Sequence, residues 1–208
     1  METYNTGNLQ KYHSKNPLKR IMVSRFQNKL AEVVSGACGG QPATLLDAGC
    51  GEGFTANYLY DRISGLKITG IDYFAQAVTA AKDGNPRKID FQTGDINKLK
   101  FSDKSFNIVI ATEVLEHLTD PGKALSEIAR VTQTTLIISV PNEPFFCLGN
   151  LASGKNIRRF GNPADHINHW TYRGFRKFLE NNIPGGVFNV KTYNCLVWTL
   201  AVLTRQSA

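Results

Sequence analysis

Leu45-Leu46-Asp47-Ala48-Gly49-Cys50-Gly51-Glu52-Gly53 is the stretch on which the fold turns. It reads as a buried strand that breaks into a glycine-rich turn and then enters a helix near Phe54. Glycine has no Cβ, so Gly49, Gly51 and Gly53 allow a tight turn against which a ligand can lie. The next helix points its unpaired N–H groups and positive dipole end at any anion placed there. Glycines alone describe an ordinary strand-to-helix turn; the acidic strand ends sharpen the reading. Asp47 precedes the turn, and Asp72 closes a second apolar strand, Leu66-Lys67-Ile68-Thr69-Gly70-Ile71-Asp72, after a helix expected from Thr55 to Ile63. In an open parallel sheet, ligands bind beyond the carboxyl ends of the strands, where the winding reverses, and an acid ending the second strand accepts from ribose hydroxyls.

Two cofactor classes use a glycine turn followed by a ribose-binding acid. The dinucleotide pattern is G-x-G-x-x-G, and here Phe54 stands where the third glycine belongs, with Gly53 one place early. D-A-G-C-G-E-G instead resembles motif I of the class I S-adenosylmethionine-dependent methyltransferases. A nicotinamide enzyme is the minor alternative.

The resemblance extends from about Thr44 to Pro141. Phe91-Gln92-Thr93-Gly94-Asp95-Ile96 is similar to the third strand and its loop. Ile108–Ala111 forms the fourth strand, Thr112-Glu113-Val114-Leu115-Glu116-His117-Leu118 the segment after it, and Thr135–Val140 the fifth. The implied fold is α/β: a Rossmann-like doubly wound sheet, mostly parallel with a C-terminal antiparallel hairpin and helices on both faces. The hairpin is expected from Val187–Tyr193 and Cys195–Leu203, with a break near Asn194. The implied cofactor is S-adenosylmethionine, with S-adenosylhomocysteine as product. Asp47, Gly49, Cys50 and Gly51 are expected at its methionine end, with Thr112 nearby and the Cys50 thiol itself inert packing. Asp72 would take the ribose, Tyr73 would pack on the adenine, and Asp95 with Ile96 would read its edge.

Bulk properties suit one domain spanning residues 1–208 in a reducing, cytoplasmic setting. The length of 208 residues supports one well-buried core. Four cysteines lack C-x-x-C spacing, so neither a zinc knuckle nor a disulfide framework is indicated. Met1–Lys15 is polar and unlike a secretory signal. Cys195–Leu203, the longest apolar run, is too short to cross a bilayer. The net charge of +7 is spread out, with modest clusters at Lys11, Lys15, Lys19, Arg20, Arg25 and Lys29, and at Lys155, Arg158 and Arg159. Such clusters suit solvated faces or the attraction of an acidic acceptor. No RNA-binding module is recognisable, and nucleic acid is not the expected partner.

Residues 1–40 are expected to form a helical lid, with Leu18, Ile21, Met22, Phe26, Leu30 and Val33 at helical spacing. A helix is also expected at Tyr172–Asn181. Residues 142–170 form an insertion too long for a minimal connection, at the ligand-binding end of the sheet. Its apolar residues, mixed with arginines, suggest a cap enclosing a small-molecule acceptor.

His117 follows the fourth strand, and His166 and His169 close the insertion. An imidazole can take a hydroxyl proton as a methyl group is transferred, so these three are the catalytic candidates, and oxygen is the expected nucleophile. Val140-Pro141-Asn142-Glu143 does not match the N-P-P-aromatic motif of methyltransferases acting on planar amino groups. If a helix starts at Glu113, then Glu113, Glu116 and His117 share a face. With His166 they make a possible divalent-metal set, and E-x-x-E-H resembles metal-dependent methyltransferases acting on RNA 3′ ends or catechol-like quinone precursors. The favoured reading places no metal here. The pattern as a whole resembles the ubiquinone- and menaquinone-type methyltransferases. An RNA methyltransferase and a cofactor-binding scaffold without turnover are the alternatives.

Overall fold

The computed structural model describes residues 16–206, apart from Gly84, Ser153, Lys155, Pro184 and Gly185. Residues 1–15 of the expected lid, with Lys11 and Lys15, therefore lie outside the described residues, as does Lys155. The strands are β1 (Ala43–Ala48), β2 (Leu66–Asp72), β3 (Asp90–Thr93), β4 (Phe106–Thr112), β5 (Thr132–Pro141), β6 (Phe188–Cys195) and β7 (Trp198–Arg205). They form one sheet in the order β3-β2-β1-β4-β5-β7-β6. β1 to β5 pair in parallel, and β7 runs against both of its neighbours. The mostly parallel α/β sheet with a terminal antiparallel hairpin is thus the observed fold.

Ile108, Val109, Ile110 and Ala111 of β4 are all fully buried, because a parallel strand covered by helices on both sides has no solvent face. Helices α1 (Pro17–Cys38), α2 (Phe54–Tyr60) and α3 (Ala75–Lys82) cover one side of the sheet through Phe26, Leu30, Leu59 and Val78. Helix α5 (Phe145–Ala152) has no fully buried residue, its half-buried Phe146 packing on the first side, while α4 (Pro121–Val131) and α6 (Tyr172–Asn182) cover the other side through Leu125, Ile128, Phe175 and Leu179.

Chain direction sets the site. From β1 the chain steps outward to β2 and β3, then returns to lay β4 on the opposite side of β1. The chain leaves β1 and β4 in opposite directions at that switch point, the place where open α/β sheets bind their ligands. The registers Ala48↔Ile71, Asp72↔Thr93 and Thr112↔Ser139 bring the carboxyl ends of the strands to one edge.

Three local expectations are corrected. Helix α1 begins on an Asn16 cap, whose side chain accepts from Leu18 N–H at 2.9 Å, but its buried stripe is Val23, Phe26, Leu30 and Val34. Phe26 lies 5.1 Å from the Trp198 ring, and a stripe centred on that contact turns Leu18 and Ile21 to solvent. Helix α2 stops at Tyr60 because the chain tightens there, with Arg62 N–H donating to Leu59 O at 3.1 Å. The hairpin reverses at Leu196–Val197, two residues past the expected break. Leu196 adopts φ +65°, and its N–H donates to Asn194 Oδ1 at 3.0 Å.

Candidate active site

The glycine turn is pinned to the end of β2 by its own amides. Gly49 N–H and Cys50 N–H both donate to Ile71 O at 2.8 Å, and Gly51 N–H donates to Asp72 Oδ2 at 2.8 Å. The other Asp72 oxygen accepts from Phe74 N–H at 2.9 Å. A Cβ on Gly49 would overlap Val114, and one on Gly53 would come within 2.7 Å of the Phe91 ring. Both glycines also have φ in the left-handed region, so neither position takes another residue without strain. Val114 belongs to the segment after β4, so this packing joins the turn directly to the histidine-bearing loop.

Asp47 is fully buried, and neither of its oxygens has a hydrogen-bond partner among the described residues. Burial first, and the Asp72 charge second, push its carboxyl up to about 7. Such a group calls for a cation or a hydrogen-bonding ligand. Asp72 is also raised by burial, against the pull of the Phe74 and Gly51 N–H groups. Cys50 is buried, its thiol pushed well up by burial and then by the Asp47 and Asp72 charges, and it remains protonated.

The linkage for Asp47 has a definite sign. Its folded-state value is raised, so between about pH 4 and 7 the folded chain holds a proton that the unfolded chain has released. Its contribution to stability is complete at acid pH and is lost as pH rises through about 7. Without cofactor, the melting temperature of the wild type is expected to fall by several degrees relative to Asp47→Asn between about pH 4 and pH 7, the two ends of that window. Parallel thermal scans that keep a constant offset would show that Asp47 does not carry this proton.

The remaining cofactor candidates line the same edge of the sheet. Thr112 ends β4. Tyr73 is exposed, edge-on to Phe74 at 5.6 Å. Asp95 is exposed and accepts from Asn97 N–H at 2.8 Å, and Ile96 beside it is buried in the core.

The post-β4 loop departs from expectation. No helix starts at Glu113. The residue takes φ +59° and is followed by a single tight turn, Leu115–His117. Its N–H donates to Ser139 O at 3.0 Å, and its Oε2 accepts from Trp198 Nε1–H at 2.7 Å. The shared helical face of Glu113, Glu116 and His117 is therefore not formed, and the structure groups Glu116, His117 and His166 instead. One ligand atom from each lies within 4.8 Å of the others, and Glu116 is 1% exposed. The rings of His117 and His166 meet edge to face at 4.8 Å, and Phe146 stacks on His166 at 5.4 Å. His169 is not part of this group; its Nδ1 faces Glu143 Oε1 at 3.9 Å.

The insertion's returning arm holds this arrangement. Ile167 and Asn168 N–H groups donate to Glu116 O at 2.9 and 3.0 Å, and Asn168 Nδ2 donates to Leu115 O and Leu118 O. His117 Nδ1 lies 2.9 Å from Asp165 O and 3.6 Å from its carboxylate. A carbonyl oxygen only accepts, so Nδ1 carries the hydrogen and Nε2 of the neutral ring keeps its lone pair. Asn168 and the carbonyl of Asp165 carried no sequence signal, and Phe146 stood only as one of several apolar residues expected in the cap.

The methyltransferase-domain family matches residues 46–137, the span that contains the glycine turn and both acidic strand ends. Over those residues the chain is similar to the methyltransferase domain. A probable S-adenosylmethionine-dependent methyltransferase of Mycolicibacterium smegmatis is 33% identical over 107 residues, 50% of this chain and 40% of the relative. A demethylmenaquinone methyltransferase of Renibacterium salmoninarum is 30% identical over 138 residues, 65% of this chain and 56% of the relative. The chain thus spans about half the length of these curated relatives. Among solved structures, magnesium protoporphyrin IX methyltransferase from Synechocystis with bound S-adenosylhomocysteine shares the fold. It has a TM-score of 0.70 at 18% identity, covering 97% of this chain and 96% of that one. That neighbour holds S-adenosylhomocysteine, the demethylated form of S-adenosylmethionine. Among the described residues no helix is long and apolar enough to cross a membrane.

Proposed function

We propose that this chain methylates a hydroxyl oxygen of a small, largely apolar acceptor, with His117 as the proton acceptor. The observation that carries this reading is the hydrogen bond from His117 Nδ1–H to Asp165 O, which leaves Nε2 as a base. S-adenosylmethionine supplies an electrophilic methyl group. Asp47, Gly49, Cys50, Gly51 and Thr112 hold its methionine end, Asp72 its ribose, and Tyr73, Asp95 and Ile96 its adenine. The acceptor oxygen would take the methyl group as the sulfonium S–C bond breaks and S-adenosylhomocysteine is released, and its proton would pass to His117 Nε2, so the methylated oxygen ends neutral. Phe146 and His166 form one wall for the acceptor, with His169 in reserve at its rim. Residues 1–40 and 142–170 act as the covers of the site.

The relative named for demethylmenaquinone supports an apolar ring acceptor. Oxygen and a small molecule rest on the histidine geometry rather than on the relatives. The test is methyl transfer from labelled S-adenosylmethionine to a panel of phenols, hydroxylated quinone precursors and RNA. Transfer to phenolic oxygen bears the proposal out. Transfer to RNA alone, or cofactor binding without any transfer, replaces it with the nucleic-acid or the scaffold alternative.

A second reading has its own observation, the grouping of Glu116, His117 and His166 within 4.8 Å. One carboxylate and two imidazoles fit a divalent first-row ion, and Glu113, held by Trp198, stands apart from them. Bound there, such an ion would polarise the acceptor hydroxyl as a Lewis acid. On this reading, Co²⁺ added to chelator-treated wild type raises the melting temperature and gives visible absorption, and His166→Ala loses both. If neither signal appears, His117 acts without metal.

A further inference from the structure

The insertion displays apolar side chains outward while closing on the histidines inward. Phe145 and Leu148 on α5 are exposed, and so are Ile157 and Phe160, at 66% and 80%. These belong to one compact unit: Cys147 Sγ meets Asn162 Oδ1 at 2.7 Å, and Asn150 Nδ2 donates to Gly161 O at 2.8 Å. The turn Ile157–Arg159 is thereby strapped beside α5. Phe160 leaves that turn at φ +51°, a conformation in which a bulky residue is uncommon, and its ring is held in solvent.

Charge on this unit has one sign. From Pro144 to Pro163 the chain contains no aspartate or glutamate, and it contains Arg158 and Arg159. Both arginines are exposed, and neither has an ion pair or side-chain hydrogen bond among the described residues. Exposed apolar groups bordered by unpaired cations are what an interfacial element presents to a bilayer with anionic headgroups. Nucleic acid fits less well, because α5 carries no charge along its length and Leu148 and Ile157 offer no ring for base stacking.

We propose that the face formed by Phe145, Leu148, Ile157, Arg158, Arg159 and Phe160 docks on an anionic phospholipid bilayer. The apolar side chains enter the headgroup boundary, and the arginines meet lipid phosphates. Phe145 on this face and Phe146 against His166 are consecutive, so docking places the histidine group one helix flank from the lipid. The surface stands apart from the methyl-transfer reading and does not depend on it.

The experiment is co-sedimentation with vesicles of phosphatidylcholine alone and of phosphatidylcholine mixed with phosphatidylglycerol, at low and high salt. Wild type is expected to bind the anionic vesicles, to bind neutral ones weakly, and to be released partly by salt. Arg158→Ala with Arg159→Ala weakens binding about twenty-fold, each cation near an anionic surface counting for roughly a factor of five. Ile157→Ser with Phe160→Ser weakens it on the order of tenfold. Melting temperature and S-adenosylmethionine affinity stay unchanged in both double variants. Those controls report the cofactor site separately, so failure of the methyltransferase reading and failure of docking are distinguishable. No sedimentation with anionic vesicles, or equal sedimentation of wild type and variants, overturns the proposal. So does binding confined to single-stranded RNA, or wild-type self-association that the serine variants abolish without any vesicle binding.

Discussion

Asp72→Ala is expected to weaken S-adenosylmethionine binding by roughly 10²–10⁴-fold in a calorimetric titration. That range corresponds to the proposed pair of hydrogen bonds from ribose hydroxyls to the Asp72 carboxylate, each worth about 1.5–3 kcal/mol. The carboxylate also has a role without cofactor, since its two oxygens accept from Gly51 N–H and Phe74 N–H. Each oxygen has a second lone pair, so latching the turn and taking the ribose are compatible. The substitution therefore lowers the melting temperature as well, because the turn loses its hold on β2. Asp72→Asn separates the two effects. It keeps one oxygen acceptor for a backbone N–H but loses the charge, so stability recovers more than affinity does. If Asp72→Ala binds the cofactor within a factor of about three of wild type while its melting temperature falls, the residue is a latch alone. Binding of NADH in place of S-adenosylmethionine by the wild type would reopen the dinucleotide alternative.

What was legible in the sequence had a local cause. Strands β2, β4 and β5 are apolar runs bounded by polar or turn residues, and strands covered on both faces need little more. Gly49 and Gly53 show as glycine because each combines left-handed φ with a neighbour, Val114 or Phe91, that leaves no space for a Cβ. Helix α1 was visible, but its inward face was not. Several apolar residues lie around its circumference, and the Phe26–Trp198 contact that selects the buried stripe spans most of the chain. The hairpin turn was misplaced by two residues for a similar reason. Asn142 Nδ2 donates to Leu196 O at 2.9 Å, a distant contact that fixes where the reversal falls.

The histidine group shows the same division. E-V-L-E-H, read as a helix, puts both glutamates with His117, and only tertiary structure separates them. Trp198 on β7 holds Glu113, and Ser139 O takes its N–H, which places Glu113 outside any helix. The remaining members come together because the insertion returns over the loop, with Asn168 bonded to Leu115 O and Leu118 O. Spacing along the chain names the chemistry available, and the contact between the two loops decides which residues share it.

His117→Gln is expected to lower kcat for methyl transfer to a hydroxyl acceptor by about 10²–10⁴-fold, the usual contribution of a positioned general base. Affinity for S-adenosylmethionine should stay within a few-fold of wild type, because the turn and Asp72 do not depend on the imidazole. Glutamine retains bulk and hydrogen-bonding capacity, so collapse of the loop is not the expected cause of the loss. The pH profile gives the more specific signature. A base must be unprotonated to accept the hydroxyl proton, so wild-type kcat falls on the acid side, and that limb should vanish in His117→Gln. Asp165→Asn supplies the internal control. It keeps the carbonyl that fixes the tautomer through the 2.9 Å bond and removes only the carboxylate at 3.6 Å. Its kcat should therefore drop by only about threefold, the scale of a weak exposed ion pair. An equal loss in both variants would move the decisive interaction from the tautomer to the carboxylate charge. A wild-type kcat in His117→Gln with the acid limb intact would remove the base from the mechanism and leave alignment of the acceptor as the protein's contribution.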